Sequence, residues 1–155
     1  MELIGESKIN DAFNAWLTKH NFEARISGMD TDFYWKPVED TISYSFVYAQ
    51  RYDVAFQKVC EKLGLAYEID IFWLSLLHEL GHSETWHLVE EEHYIIDIET
   101  YTSEDYYYHP RELVATQWAV DFINEHFDWV QELMNMSRAA IIEFFITNNI
   151  ETEEE

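Results

Sequence analysis

The chain has 155 residues, of which 48% are hydrophobic and 17% aromatic, so it is large and apolar enough to fold as one domain. Its 31 acidic and 9 basic residues give a formal net charge of −22, which repels phosphate and argues against direct contact with DNA or RNA through a basic surface. With Cys60 as the single cysteine, an intrachain disulfide is excluded, which suits a reducing compartment.

No apolar run is long enough to cross a bilayer, and residues 1–8 lack the pattern of a signal peptide. We therefore expect a cytoplasmic protein with no membrane partner. The acidity has three interpretations: it attracts a basic partner or substrate, it mimics nucleic acid, or it only keeps an aromatic-rich protein soluble. The oligomeric state does not follow from any of them.

The first half of the chain alternates between helical and β-rich character. Apolar residues at helical spacing predict helices over residues 8–20 and 51–63, the second ended by Gly64 in a left-handed conformation. Between them, β-branched and aromatic runs separated by turn residues predict an antiparallel three-stranded sheet. Its clearest strand covers residues 42–48, where apolar and polar side chains alternate.

The stretch over residues 69–82 ends in His-Glu-Leu-Gly-His, an HExxH motif formed by His78, Glu79 and His82. Apolar residues before it recur at helical spacing and predict a helix buried almost all round, with the histidines lining a cleft. Positions four apart share one face of a helix, so both imidazoles can bind one zinc ion. In such motifs the glutamate acts on the attacking water, whose proton it takes.

The second half is mostly helical. Residues 93–100 predict a short strand or an extended segment and residues 102–108 a loop, and Pro110 starts a helix that reaches about His126. Two further helical pieces follow at 129–134 and 137–148, the second capped by Ser137. Residues 151–155 form an acidic tail that we expect to be disordered. The expectation is an α+β domain over residues 1–150 with about five to six helices.

A catalytic zinc site needs a third protein ligand and an open position for water. Glu112 is the best placed candidate, because the dipole favours a carboxylate in the first turn of the helix that starts at Pro110. Ala115 and Ala119 share its face and would let a second helix approach closely. The other candidates are several loop acids and three histidines: His87, His93 and His109.

The two motifs, His78-Glu79-Leu80-Gly81-His82 and Glu112-x-x-Ala115-x-x-Trp118-Ala119, together resemble the ImmA/IrrE type of compact gluzincin. They are also similar to the metallopeptidase-like domain of ArdC-type antirestriction proteins, with His109 at a position that is Tyr in that domain. The resemblance covers about residues 70–126. It implies a small zincin-like domain with an HExxH helix and a glutamate helix that hold one zinc ion.

The chain departs from these patterns in places. Trp86 stands where the family often has His and Thr116 where it often has Asn, and we expect neither to touch the proposed ligands. A metzincin is excluded, because Thr85 and Leu88 replace the Gly and His that its longer motif needs. The helix-turn-helix module that usually accompanies the family is absent, so its regulatory role is not carried over.

The prediction is a zinc-dependent metallopeptidase of gluzincin type that cleaves a protein or peptide substrate, a basic one being favoured by the charge. His78, His82 and Glu112 hold the zinc ion and Glu79 is the general base. Tyr108 or His109 stabilises the oxyanion, since both precede Glu112 in sequence. The strand at 42–48 would bind an extended substrate by strand addition if it edges the cleft.

Two alternatives stay open. The first is a non-enzymatic acidic binding protein of phage or mobile-element type, a nucleic-acid mimic or an antirestriction-like protein, that keeps zinc for structure only. The second is a metal-dependent amidase or other hydrolase that acts on a non-protein substrate, which would use the same site residues.

Overall fold

The computed structural model describes residues 6–30, 33–45, 53–86 and 110–147. Within these residues the protein is α+β, with five helices and one three-stranded sheet. The elements in chain order are α1 (Glu6–Lys19), β1 (Arg25–Met29), β2 (Tyr34–Lys36), β3 (Thr41–Tyr44), α2 (Asp53–Lys62), α3 (Ile71–Thr85), α4 (Pro110–Glu125) and α5 (Phe127–Thr147).

The sheet is mixed, so the prediction that it is antiparallel throughout is wrong. The strand order is β1-β3-β2; β3 runs parallel to β1 and antiparallel to β2. Strands β1 and β2 follow each other in sequence but do not pair. Residues 37–40 then form the turn of the β2–β3 hairpin, and β3 lies between β1 and β2. Alternation of side chains reports which face is buried but not which way a strand runs, which is why it did not predict this pairing.

The described part of β3 is the central strand and ends at Tyr44, whereas the sequence predicted a strand over residues 42–48 that could edge the cleft. Within the described sheet, β2 has one free edge and β1 the other. Residues 46–52 lie outside the described part of the chain.

The helices α1, α2 and α4 begin and end within two residues of their predicted bounds. Gly64 has φ +101°, which confirms the left-handed end of α2. The two helical pieces predicted at the end of the chain are one continuous helix, α5. Ser137 is not a cap but lies fully buried inside α5, where its hydroxyl donates a hydrogen bond to the Leu133 carbonyl oxygen at 2.7 Å.

The core lies between the sheet and the five helices, each of which contributes buried apolar side chains. Phe13 of α1 meets the Tyr44 ring at a centroid distance of 5.6 Å and the Trp73 ring at 5.9 Å, both edge to face. Trp16 is 1% exposed, and its indole N–H donates to the Trp129 carbonyl oxygen at 2.8 Å. This packing anchors the apolar first half of α3 and so fixes the direction in which its second half points.

None of the helices in the described ranges is long and apolar enough to cross a membrane. The predicted strand at 93–100, the loop at 102–108 and the acidic tail at 151–155 fall outside those ranges. A single domain over residues 1–150 and a cytoplasmic location both stay predictions.

Candidate metal centre

The motif helix α3 carries its two histidines in a buried half. His78 is 4% exposed and His82 7%, and both are surrounded by residues that are themselves buried. Four residues turn a helix by about 400°, so both imidazoles leave α3 on the same side. Their ring centroids lie 4.7 Å apart. The sequence-based expectation of a helix buried almost all round is confirmed.

Gly81 allows α4 to lie directly against α3. A Cβ atom at position 81 would fall well inside van der Waals contact with the carbonyl oxygen of Ala115 and 3.2 Å from its Cα. The two backbones therefore meet at a point where neither residue has more than a methyl group. Ala115, which the sequence placed on the close face of the glutamate helix, is at this contact.

Glu112 lies in the first turn of α4 and directs its carboxylate at both imidazoles. Its Oε1 is 2.9 Å from Nε2 of His78, and its Oε2 is 3.1 Å from Nε2 of His82. In a tetrahedral zinc site each donor atom lies about 2.0–2.1 Å from the ion, which puts the donors about 3.3 Å from one another. Oε1 of Glu112 alone lies 2.9 Å from Nε2 of His78 and 3.2 Å from Nε2 of His82, so its distance to each imidazole is close to that spacing.

Glu79 is a second carboxylate at the same place. Donor atoms of His78, Glu79 and His82 lie within 4.8 Å of one another, so this buried group could itself hold a metal ion. Glu79 Oε2 is 3.8 Å from Nε2 of His78, whereas Glu112 Oε1 is 2.9 Å from the same nitrogen. Both carboxylates are therefore candidates for the third ligand, and Glu112 is the one within 3.2 Å of both imidazoles.

Burial and hydrogen bonding shift the pKa values of Glu112 and His82 in opposite directions. Burial alone would raise the pKa of Glu112, but the hydrogen bonds from His78 and His82 outweigh it and hold that pKa well below its ordinary range. Burial would lower the pKa of His82, but the hydrogen bond and charge of Glu112 raise it above its ordinary value. Both shifts have the direction that favours a charged carboxylate beside a charged imidazole.

Thr116 fixes which nitrogen of His78 faces the site. Its hydroxyl donates to the backbone carbonyl oxygen of Glu112 at 2.8 Å and lies 2.9 Å from Nδ1 of His78. A hydroxyl has one proton, so Nδ1 supplies the hydrogen of the second bond, and Nε2 is the nitrogen that faces Glu112. The expectation that Thr116 touches no ligand is wrong.

The strand beside the site is β2. Its Trp35 ring lies parallel to the His82 ring, with 11° between the planes and 6.5 Å between centroids. The Trp35 indole N–H and the Ser83 hydroxyl both donate to one carboxylate oxygen of Asp40, at 2.8 and 2.6 Å. Asp40 thus ties the sheet to α3 one residue beyond the second motif histidine.

Arg111 is a charged residue at the site that the sequence analysis missed. It is 5% exposed, and its guanidinium carbon lies 3.1 Å from the centroid of the Trp86 ring. This contact joins the end of α3 to the first turn of α4, next to Glu112. The sequence does contain a signal for Arg111: the helix dipole disfavours a basic residue in the first turn of a helix, so an arginine there suggests a role in a specific contact.

The structure brings together four of the six residues predicted for the site: His78, Glu79, His82 and Glu112. Tyr108 and His109, the predicted oxyanion donors, lie outside the described residues, as do His87 and His93.

No family model matches this chain, and comparison with curated proteins and with solved structures finds none that is similar to it. The resemblance to ImmA/IrrE-type gluzincins therefore rests on the two motifs alone. What the described residues define is a buried candidate metal centre built from two helices.

Proposed function

We propose that this chain is a zinc-dependent metallopeptidase of gluzincin type, in which His78, His82 and Glu112 hold the ion. One observation carries the proposal: a carboxylate 30 residues beyond the second histidine lies 2.9 and 3.1 Å from the two imidazoles. An HExxH helix alone supplies two ligands. A glutamate from a neighbouring helix makes the His2Glu set of thermolysin-type enzymes.

The donor set supports zinc over the commoner divalent cations. Magnesium and calcium prefer shells of oxygen ligands, whereas two imidazole nitrogens and one carboxylate suit zinc and its transition-metal neighbours. The hydrogen bond from Nδ1 of His78 to Thr116 is an outer contact that orients a metal-binding imidazole.

Each residue then has a role in hydrolysis of a peptide bond. A zinc ion held here supplies Lewis-acid activation of the scissile carbonyl and of the attacking water. Glu79 takes the proton of that water on its carboxylate and returns it to the departing amine. Tyr108 or His109 is the proposed donor to the oxyanion. An extended substrate would pair with β2, because β2 rather than β3 lies beside His82.

Metal content tests the ligand set. Wild-type protein from zinc-replete medium should contain about one equivalent of zinc by mass spectrometry. The variants His78→Ala and Glu112→Ala should lose it. Glu125→Gln, which changes an exposed acid at the other end of α4, should keep it. Wild-type protein with almost no zinc would refute the proposal.

Hydrolysis of a fluorescence-quenched peptide library tests the reaction. Glu79→Gln should retain zinc and cleave more slowly by about 10²–10⁴-fold, the usual contribution of a general base. If the wild type holds zinc and cleaves no member of the library, peptidase activity is ruled out. Binding to a basic protein that survives Glu79→Gln would then favour the acidic binding protein.

A further inference from the structure

A large cleft lies at the opposite end of α3 from the histidines. Its volume is about 1030 Å³, and it is bounded by the end of α2, residues 65–70, the first turn of α3 and the middle of α5. The lining on α3 stops at Leu74, four residues before His78. The cleft and the candidate metal centre therefore share one helix but no lining residue.

The floor of the cleft is apolar. Ile69 and Leu74 are buried at its base. At the rim, Tyr67 is 39% exposed, with its ring stacked on that of Phe127, and Ile142 is 53% exposed. An apolar floor with exposed apolar side chains at its edge is typical of a surface that binds another chain.

The charged part of the rim is mostly acidic. Glu61, Glu68 and Asp70 are exposed there, against a single base, Arg138. Asp70 precedes the first residue of α3 but makes no capping hydrogen bond through its side chain. Its carboxylate is therefore not held by a hydrogen bond to the first turn of α3.

Charge decides among the possible occupants. Nucleic acid and anionic lipid carry the wrong sign for this rim. A second copy of the chain, with its own net charge of −22, is repelled by the acidic rim, and so are the acidic residues 151–155 of the same chain. We propose that the cleft binds a basic amphipathic segment of a partner protein, with apolar side chains on the floor and Lys or Arg beside Glu61, Glu68 and Asp70. This inference does not depend on the proposed hydrolysis.

The test uses two fluorescein-labelled 14-residue peptides with Leu at helical spacing, one with Lys and one with Glu at the remaining positions. Fluorescence anisotropy in 150 mM NaCl should show binding of the Leu/Lys peptide only. The double variant Glu61→Gln/Glu68→Gln should weaken binding about fivefold, the loss expected for two surface ion pairs. Ile142→Ser should weaken it about tenfold through lost apolar contact.

Matched variants separate the cleft from general attraction to an acidic protein. Glu23→Gln/Glu39→Gln removes the same charge from exposed positions that do not line the cleft, and Ile146→Ser removes an exposed isoleucine one turn further along α5. Both should leave the affinity within about twofold of wild type. Equal loss in these controls, equal binding of the Leu/Glu peptide, or no binding at all would overturn the proposal.

Discussion

The two ring nitrogens of His78 have different partners, and the difference decides how the residue can bind a metal ion. Nδ1 bonds to the Thr116 hydroxyl, whose own proton is committed to the Glu112 carbonyl oxygen. Nε2 is then the nitrogen presented to the site. The Thr116 hydroxyl bonds to both His78 and the backbone of Glu112, so it links the α3 and α4 sides of the candidate centre.

Replacing Thr116 by Val should lower the zinc affinity about 10–100-fold, the usual effect of losing an outer hydrogen bond to a ligand. The measurement is competition with a chromophoric chelator. Ser137→Ala is the matched control, since Ser137 makes the same bond to the carbonyl four residues earlier but in α5. Equal zinc affinity in the two variants would show that the Thr116 bond does not orient His78.

At this scale the sequence predicted the residues whose chemistry follows from spacing. His78 and His82 are four apart, and Glu112 sits where a first turn favours an acid. Thr116 and Arg111 were not identified, because their roles depend on how α4 is rotated against α3. No spacing within one helix reports that rotation.

The contact between α3 and α4 joins the two elements that carry the proposed ligands. It is closest at Gly81 and Ala115, where one added methyl group would strike the backbone of the facing helix. Gly81 lies between His78 and His82 in sequence, so separation of the helices at this point would also move Glu112 away from both imidazoles.

We expect Gly81→Ala to destabilise the fold by about 1–3 kcal/mol, as overpacking in a core does, and to weaken zinc binding at least about tenfold. Urea unfolding with a chelator present measures the first effect and chelator competition the second. Gly64→Ala is the control: its φ of +101° strains any other residue, but a Cβ there meets nothing within 4 Å. That variant should lose about 1 kcal/mol of stability and bind zinc normally; Gly81→Ala with unchanged zinc affinity would contradict the expectation.

Element prediction succeeded where one periodicity dominates and failed where pairing is non-local. The helices α1, α2 and α4 follow from apolar residues at helical spacing. The parallel pairing of β1 with β3 depends on the path of the chain through β2, which alternation does not encode. The break predicted within α5 failed because Ser137 found a partner inside the helix instead of capping a new one.

The whole molecule carries a net charge of −22 over 155 residues. Self-repulsion at this density opposes compaction and is strongest at low ionic strength. The charge also sets what can approach, since it repels phosphate and attracts basic chains. This makes the charge relevant both to folding and to the partner proposed for the cleft.

Added salt should therefore raise the melting temperature by a few degrees between 0.01 and 0.1 M NaCl, over which the screening length falls from about 30 to about 10 Å. Thermal unfolding followed by circular dichroism, with zinc in excess, measures it. The variant Glu23→Lys/Glu39→Lys changes the charge from −22 to −18, since each swap adds two positive charges. It should melt higher at low salt and respond less to NaCl; a melting temperature that falls with salt would argue against self-repulsion.

The pairing of the first and last described helices has a consequence for biosynthesis. Trp16 bonds to Trp129 across 113 residues, and Lys8 pairs with Glu143 across 135. At the usual 5–20 residues per second, a ribosome needs roughly 6–23 s to add the 113 residues after Trp16. Until α5 emerges, the face of α1 that it will cover is exposed to chaperones and neighbouring nascent chains. The side of α1 that faces α5 is therefore covered only after α5, the last described helix, has been synthesised.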